Sequence, residues 1–365
     1  MYLGLDSFRA LAFFAVFAFH CGLLPSGHLG VQAFFVLSGF LLTPVLVTMK
    51  EQLDHRRFFI NFYGRRFLRI FPLYYLYTLA VMLICLIVVN TTNYSGIESI
   101  DRFLKQIPWI LTYTYNFFST TSFYEQTRLC SHFWSLAVEE QLYLIWPVLI
   151  LVINKKNLRT FLLIIIAMDP ILRLLVIITR ADGNFTFLLQ WMDSVVYALS
   201  FLHVDAFAIG GYFALYKKSD KTNLQTIGLL YFSILLGYWI QYVSTRHIDF
   251  LSFGYPFTGD TPILGYSIVN FVFAKMIIQI KNGKFFPLLM DNPLFNYIGK
   301  ISYGLYIFHE PIILLVTSIS SSLLRIQAAL ISILLTICIS SIVYELYEKK
   351  FLKLKDKYFP KTLLT

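Results

Sequence analysis

Apolar residues gather into ten stretches near the length that spans a hydrocarbon core, about 20 residues each. They fall at 5–24, 30–49, 70–89, 133–153, 160–178, 192–216, 225–243, 262–280, 302–319 and 327–345. Runs this long, separated by short polar intervals, predict membrane-spanning helices. Pro25, Gly27 and Gly30 place a tight turn between the first two. The sixth run is interrupted by His203 and Asp205, and 107–118 is too short to span and carries Pro108. That last stretch reads as interfacial or re-entrant, within an otherwise polar outer loop of about 90–132 that carries sequons at Asn90 and Asn93. The expectation is an all-α polytopic integral membrane protein, with ten transmembrane helices around a polar cavity and both termini cytoplasmic. One transmembrane domain covers 1–350, followed by a short basic cytoplasmic tail, 351–365.

Composition agrees. Of 365 residues, 58% are hydrophobic and 14% charged, against roughly 25% charged in soluble domains. The net charge of +10 need not mean nucleic acid, because position decides. With the N-terminus inside, 23 of the 30 lysines and arginines fall on the inner side and six on the outer, Arg173 lying within a helix. That split follows the positive-inside rule and directs the basic excess to the cytoplasmic leaflet. The first helix lacks a basic leader and a small-x-small cleavage site, so it reads as a span and not a secretory signal. The four cysteines have no metal-type spacing and read as packing residues; a Cys21–Cys130 disulfide would require both on one membrane side. Neither a bound metal nor a bound cofactor is expected.

Ionisable residues inside apolar helices mark candidate chemistry, because burying them in lipid is costly. Arg9 and His20 are eleven residues apart, about 1100° of helical rotation, so they share a face some 16 Å apart along the axis. A neutral imidazole is the usual proton acceptor near pH 7; the bland alternative is a buried histidine satisfied by a neighbouring helix. Arg65, Arg66 and Arg69 precede the third span. Their guanidinium forks suit phosphates such as those of coenzyme A, although a positive-inside signal accounts for a basic loop equally well. Glu139 and Glu140 open the fourth span about 100° apart, so one at most faces the cavity of His20. Ser135, His132 and His309 are possible cavity-lining groups, with Glu140. His203 and Asp205 read as interhelical pins, and Ser38–Gly39 as a site of close helix approach. A Walker loop, a GxSxG elbow and an HExxH motif are absent from the sequence, which leaves ATP-driven transport, α/β-hydrolase chemistry and zinc hydrolysis unsupported.

The stretches LDSFRALAFFAVFAFH, GVQAFFVLSGFLL, FYGRRFLRIFPLYY, HFWSLAVEEQLYLIWP, HVDAFAIGGYFA, ISYGLYIFHEP and YELYEKKFL occur in the order found in membrane acyltransferase family 3, the O-antigen acetylase type, which the chain resembles over nearly its whole length. The resemblance implies ten membrane helices and transfer of an acyl group, commonly acetyl, from cytoplasmic acyl-CoA to a hydroxyl of a surface or exported glycan. By the same resemblance Arg9 and His20 are the essential pair, Arg66 and Arg69 form a donor-side Arg-x-x-Arg motif, and Glu139 is the acid of Ser-Leu-x-x-Glu. The Asp6-Ser7 opening departs from the more usual Asp-Gly. The chain stops after its tenth segment, so a relay to an attached hydrolase-like domain, which some relatives carry, is not expected. The implied partners are acyl-CoA as co-substrate, a glycan or lipid-linked saccharide acceptor and membrane lipid, with no nucleic acid. The implied setting is a bacterial inner membrane, in modification of cell-envelope polysaccharide. The competing reading is a transporter or flippase of a lipid-linked glycan without acyl transfer.

Overall fold

The computed structural model describes residues 3–91, 97–181, 197–216, 223–248, 262–319 and 323–360. All regular structure among them is helical. The helices are α1 (Leu3–His20), α2 (Leu29–Gln52), α3 (His55–Thr91), α4 (Ile97–Leu111), α5 (Tyr115–Phe118), α6 (Phe133–Val152), α7 (Lys155–Ala181), α8 (Val204–Tyr216), α9 (Asn223–Thr245), α10 (Pro262–Lys281), α11 (Pro287–Met290), α12 (Pro293–Lys300), α13 (Ser302–Ile319), α14 (Arg325–Val343) and α15 (Lys349–Tyr358). Five helical stretches among the described residues are long and apolar enough to cross a membrane: Pro25–Gln52, His55–Asn90, Phe133–Val152, Ser302–Ile319 and Arg325–Tyr358. These correspond to the second, third, fourth, ninth and tenth apolar runs of the sequence, and the chain is a multi-pass membrane protein. The basic stretch 217–222, the sequon at Asn93 and residues 192–196 of the sixth run lie outside the described residues.

The chain divides into two compact units, one of residues 1–47 and 149–302, the other of 48–148 and 303–365. In the first unit α1 ends at His20, four residues before its apolar run does. Gly22 takes a left-handed φ of 66°, and the amide of Leu23 closes onto the Ala18 carbonyl at 2.8 Å, a glycine-terminated helix end. A 3-10 turn, Pro25–His28, leads into α2. Helices α2 and α8 then touch backbone to backbone. A Cβ on Gly39 would lie 2.3 Å from the Phe207 carbonyl oxygen, and one on Gly210 would lie 2.1 Å from that of Val36. This is the close approach predicted at Ser38–Gly39, now with its partner. Membrane helices gain packing and weak hydrogen bonds from such contacts. Gly39→Val is expected to force the two helices apart at a cost of about 1–3 kcal/mol. It should lower the thermal midpoint of the detergent-solubilised protein, and an unchanged midpoint would count against the crossing.

The described part of the sixth run is interrupted: it is a 3-10 turn at Ser200–Leu202 followed by the 13-residue α8. A carboxylate from another helix serves the start of α8: the Asp205 amide donates to Asp169 Oδ2 at 2.9 Å. An anion at a helix N-terminus satisfies orphan N–H groups and complements the helix dipole.

In the second unit α3 spans 37 residues, about 55 Å at 1.5 Å per residue. It begins fifteen residues before the apolar run, so Arg65, Arg66 and Arg69 stand on helix where a loop was expected. The stretch after α3 is no simple polar outer loop either. Helix α4 packs back along α3, and its carbonyl end is held by tyrosines of that helix. Tyr74 donates to the Ile110 carbonyl at 2.8 Å, Tyr75 to that of Leu111 at 3.0 Å and Tyr77 to that of Leu129 at 2.7 Å. The last carbonyls of a helix have no partner of their own; Tyr74 and Tyr75 supply two of them, while Tyr77 holds the loop before α6 at Leu129. Cys130, just before α6, is buried; burial pushes its thiol up to about 12, so it stays protonated and inert near neutrality. All four cysteines are free thiols.

Helix α14 continues through a π turn at Tyr344–Glu348 into α15. The described part of the tail is therefore helical to Tyr358 and lies along α3. Arg65 pairs with Asp356 at 3.1 Å and also donates to the Phe359 carbonyl, while the Phe359 ring occupies the space a side chain at Gly64 would need.

Candidate functional site

In the first unit, Arg9 and His20 lie on α1, both half-buried. Arg9 pairs with Asp6 one turn earlier; its side chain is 23% exposed against 4% for Asp6. The single turn Asp6–Arg9 thus fixes the guanidinium near one end of the helix. His20 is the last helical residue, and its ring meets the edge of Phe19 at 5.3 Å.

Sequence reasoning missed a polar assembly around Arg173 in this unit. Arg173, fully buried, donates through Nε and Nη2 to the Leu202 carbonyl at 2.9 and 2.7 Å. It also donates through Nη1 to Ser267 Oγ at 2.9 Å. Its Nη2 lies 2.7 Å from Asp205 Oδ1 and 3.3 Å from Asp169 Oδ2. Ser267 closes the ring by donating to Asp205 Oδ2 at 2.5 Å. His203 is held at both nitrogens, with Nε2 donating to the Tyr197 carbonyl at 2.7 Å and Nδ1 accepting from the Gln32 amide at 2.9 Å. The donor assignment follows because a carbonyl can only accept. His203 and Asp205 are therefore interhelical pins, as their place in an apolar helix suggested. The available signal for Arg173 was Asp-x-x-x-Arg, one turn apart inside an apolar run.

In the second unit, three of the sequence candidates come together. His132 Nε2 lies 3.1 Å from the Ile307 carbonyl and His309 Nδ1 lies 2.6 Å from that of Tyr306. Each of those nitrogens must carry the proton, so in neutral rings the lone pairs sit on His132 Nδ1 and His309 Nε2. The two ring centroids are 5.0 Å apart. Ser135 Oγ and the Tyr306 hydroxyl approach to 2.5 Å, and Glu310, 3% exposed, faces Arg128 at 4.0 Å. Two imidazoles, a hydroxyl pair and a carboxylate are thus buried at the start of α6 and along α13.

Arg65 and Arg66 do not converge. Arg65 faces the tail, as described. Arg66, about 100° further round the helix, lies over the Tyr143 ring at 4.7 Å. It shares a cavity of about 420 Å³ with Glu140. Glu139 accepts a hydrogen bond from the Tyr143 hydroxyl. The adjacent acids thus diverge as helical geometry requires, one into the cavity and one onto a tyrosine.

A chain whose described residues are helical, with five apolar stretches long enough to cross a membrane, belongs to the class of polytopic membrane proteins. This chain is a member of the acyltransferase family (Acyl_transf_3, "Acyltransferase domain"), whose model matches residues 2–345. It is 28% identical over 391 residues to the O-acetyltransferase OatA of Staphylococcus aureus (strain MRSA252), covering 99% of this chain and 60% of that protein. To the peptidoglycan O-acetyltransferase OatA of Listeria monocytogenes serovar 1/2a it is 29% identical over 338 residues, covering 86% of this chain and 50% of that protein. The chain thus spans half to three-fifths of the length of these relatives. No solved structure matches it.

Proposed function

We propose that the chain is an O-acetyltransferase that moves an acyl group, acetyl in the simplest case, from acyl-CoA to a hydroxyl of an envelope glycan in a bacterial inner membrane. The observation that carries this reading is similarity along 99% of the chain to a protein named an O-acetyltransferase; the glycan comes from the Listeria relative, named for peptidoglycan. The proposed topology is ten spans with both termini cytoplasmic, which puts the basic first turns of α3 on the side where acyl-CoA is made. Arg65, Arg66 and Arg69 are the proposed donor-side cations.

In the proposed reaction the acceptor oxygen attacks the thioester carbonyl carbon. The C–O bond forms, the C–S bond breaks, and His20 takes the hydroxyl proton and returns it to the departing thiolate. Arg9 lies on the same helix face as that ring and is assigned to the donor. Glu139 orients the acceptor. Holding both reactants in line supplies much of the acceleration.

The test uses membrane vesicles carrying the full chain, incubated with isotopically labelled acetyl-CoA and envelope glycan. Label should appear in the glycan as base-labile ester, with release of coenzyme A in equal amount. Movement of unmodified glycan without consumption of acetyl-CoA would replace this reading with a transporter.

A further inference from the structure

We propose that the helical tail is a strap that latches onto α3 and competes with the donor's phosphates for Arg65. The strap is α15 with Phe359, its hinge is the π turn at Tyr344–Glu348, and its catch is the Gly64–Arg65 step of α3. All three lie in the second unit. This inference rests on the assignment of Arg65 to the donor and adds a regulation of that site.

The catch fits one occupant. A Cβ at Gly64 would lie 2.3 Å from the Phe359 ring, so the missing side chain is the notch that the ring fills. At the next residue, Arg65 turns its fork onto the same segment. Its Nη1 donates to the Phe359 carbonyl, and its Nη2 pairs with Asp356 at 3.1 Å. Asp356 thereby brings a carboxylate to a guanidinium, the pairing that a phosphate would make. While the tail is seated, both terminal nitrogens of Arg65 are engaged, and a phosphate reaches them by displacing it.

The hold is weak enough to be displaced. The hinge itself is anchored, with Glu348 buried and Tyr347 donating to the Pro72 carbonyl at 3.3 Å. Beyond it the strap is not: no residue of α15 is buried. Asp356 is 57% exposed, and exposed ion pairs contribute little, whereas a phosphate brings more charge and engages a guanidinium fork in bidentate fashion. A cavity of about 570 Å³ opens beside the Phe359 ring, between Tyr63, Phe67 and Leu68 of α3 and Tyr358 of the tail. Unfilled space leaves the ring without dispersion contacts on that side. Segments with few buried contacts open at low cost, and a π turn is a local break in the helical ladder about which a helix bends.

Hydrogen–deuterium exchange of the full chain in phosphatidylcholine nanodiscs, with and without coenzyme A, tests the proposal. Pantetheine, which lacks the phosphates, is the control. Amides of 349–359 should be protected in the ligand-free protein, exchange roughly tenfold faster with saturating coenzyme A, and be unchanged by pantetheine. Asp356→Asn and Phe359→Ala should release the tail without ligand. Neither side chain is buried, so both variants keep the fold. Both should tighten coenzyme A binding, because a ligand that needs the unlatched state binds in proportion to its population. The gain should be about two- to fivefold for Asp356→Asn, the size of one exposed ion pair, and roughly tenfold for Phe359→Ala, which empties the notch. Coenzyme A bound with the tail still protected overturns the proposal and leaves the enzymatic reading standing. So does a tail unprotected without ligand, release by pantetheine, or variants that free the tail and bind coenzyme A no more tightly. Coenzyme A bound by neither wild type nor variants refutes the donor reading itself, and the strap then has nothing to compete with.

Discussion

Arg173→Leu is expected to destabilise the protein by about 3–5 kcal/mol, the usual cost of removing one partner from a buried ion pair. The size follows from what remains. Asp205 is fully buried and Asp169 is 2% exposed, and without the guanidinium two carboxylates would share one site with Ser267 as the nearest neutral donor. The Leu202 carbonyl would lose both its guanidinium donors, and unsatisfied polar groups are costly where no water competes. A loss of that size is a large fraction of the 5–15 kcal/mol that holds a typical domain. Arg173→Lys should lose less, because it restores the charge, but not everything, because a point charge cannot span the four partners of the fork. Thermal unfolding of the solubilised protein, with membrane abundance as a second readout, gives the order wild type, Lys, Leu. A leucine variant as stable as wild type would show that the cluster is not structural.

His20→Ala is expected to reduce acyl transfer by a factor of about 10²–10⁴, the contribution of a positioned general base, while leaving abundance unchanged. The helix is terminated by Gly22 whatever the side chain at its last residue. The two variants therefore separate two kinds of buried polar group: one whose loss empties the membrane of protein, one whose loss leaves a folded but inactive chain. The measurement is acetyl-ester formation per molecule of protein at matched abundance. Activity within a factor of ten of wild type would remove His20 from the role of base.

The sequence made the helices legible because apolar runs of spanning length have few alternatives. It also made legible the close packing at Gly39 and the pinning by His203 and Asp205, since small and polar residues inside such runs have few other uses. What escaped it depends on partners distant along the chain. Arg173 and Asp169 looked like isolated charges in an apolar helix until Leu202, Asp205 and Ser267 were brought to them. The arginines of α3 read as a loop cluster because charge marks membrane edges, yet helix continues beneath them and turns Arg66 away from Arg65. The path of 97–130 escaped for a related reason. Its carbonyls are served by Tyr74, Tyr75 and Tyr77, and a tyrosine hydroxyl on an apolar helix carries no mark in the sequence of the backbone it will meet. Tyr113, left-handed with φ of 53°, is held by Gln141 from α6, a contact no local pattern contains.

The central claim is that this chain places acyl esters on a glycan, and mass spectrometry of the envelope glycans of cells with and without it tests that most directly. Cells that carry the chain should show glycan units heavier by one acyl group, acetyl in the simplest case, removable by mild base and missing both when the chain is absent and when His20→Ala replaces it. Identical glycan masses in all three strains, with the protein present at normal abundance in the membrane, would contradict the account.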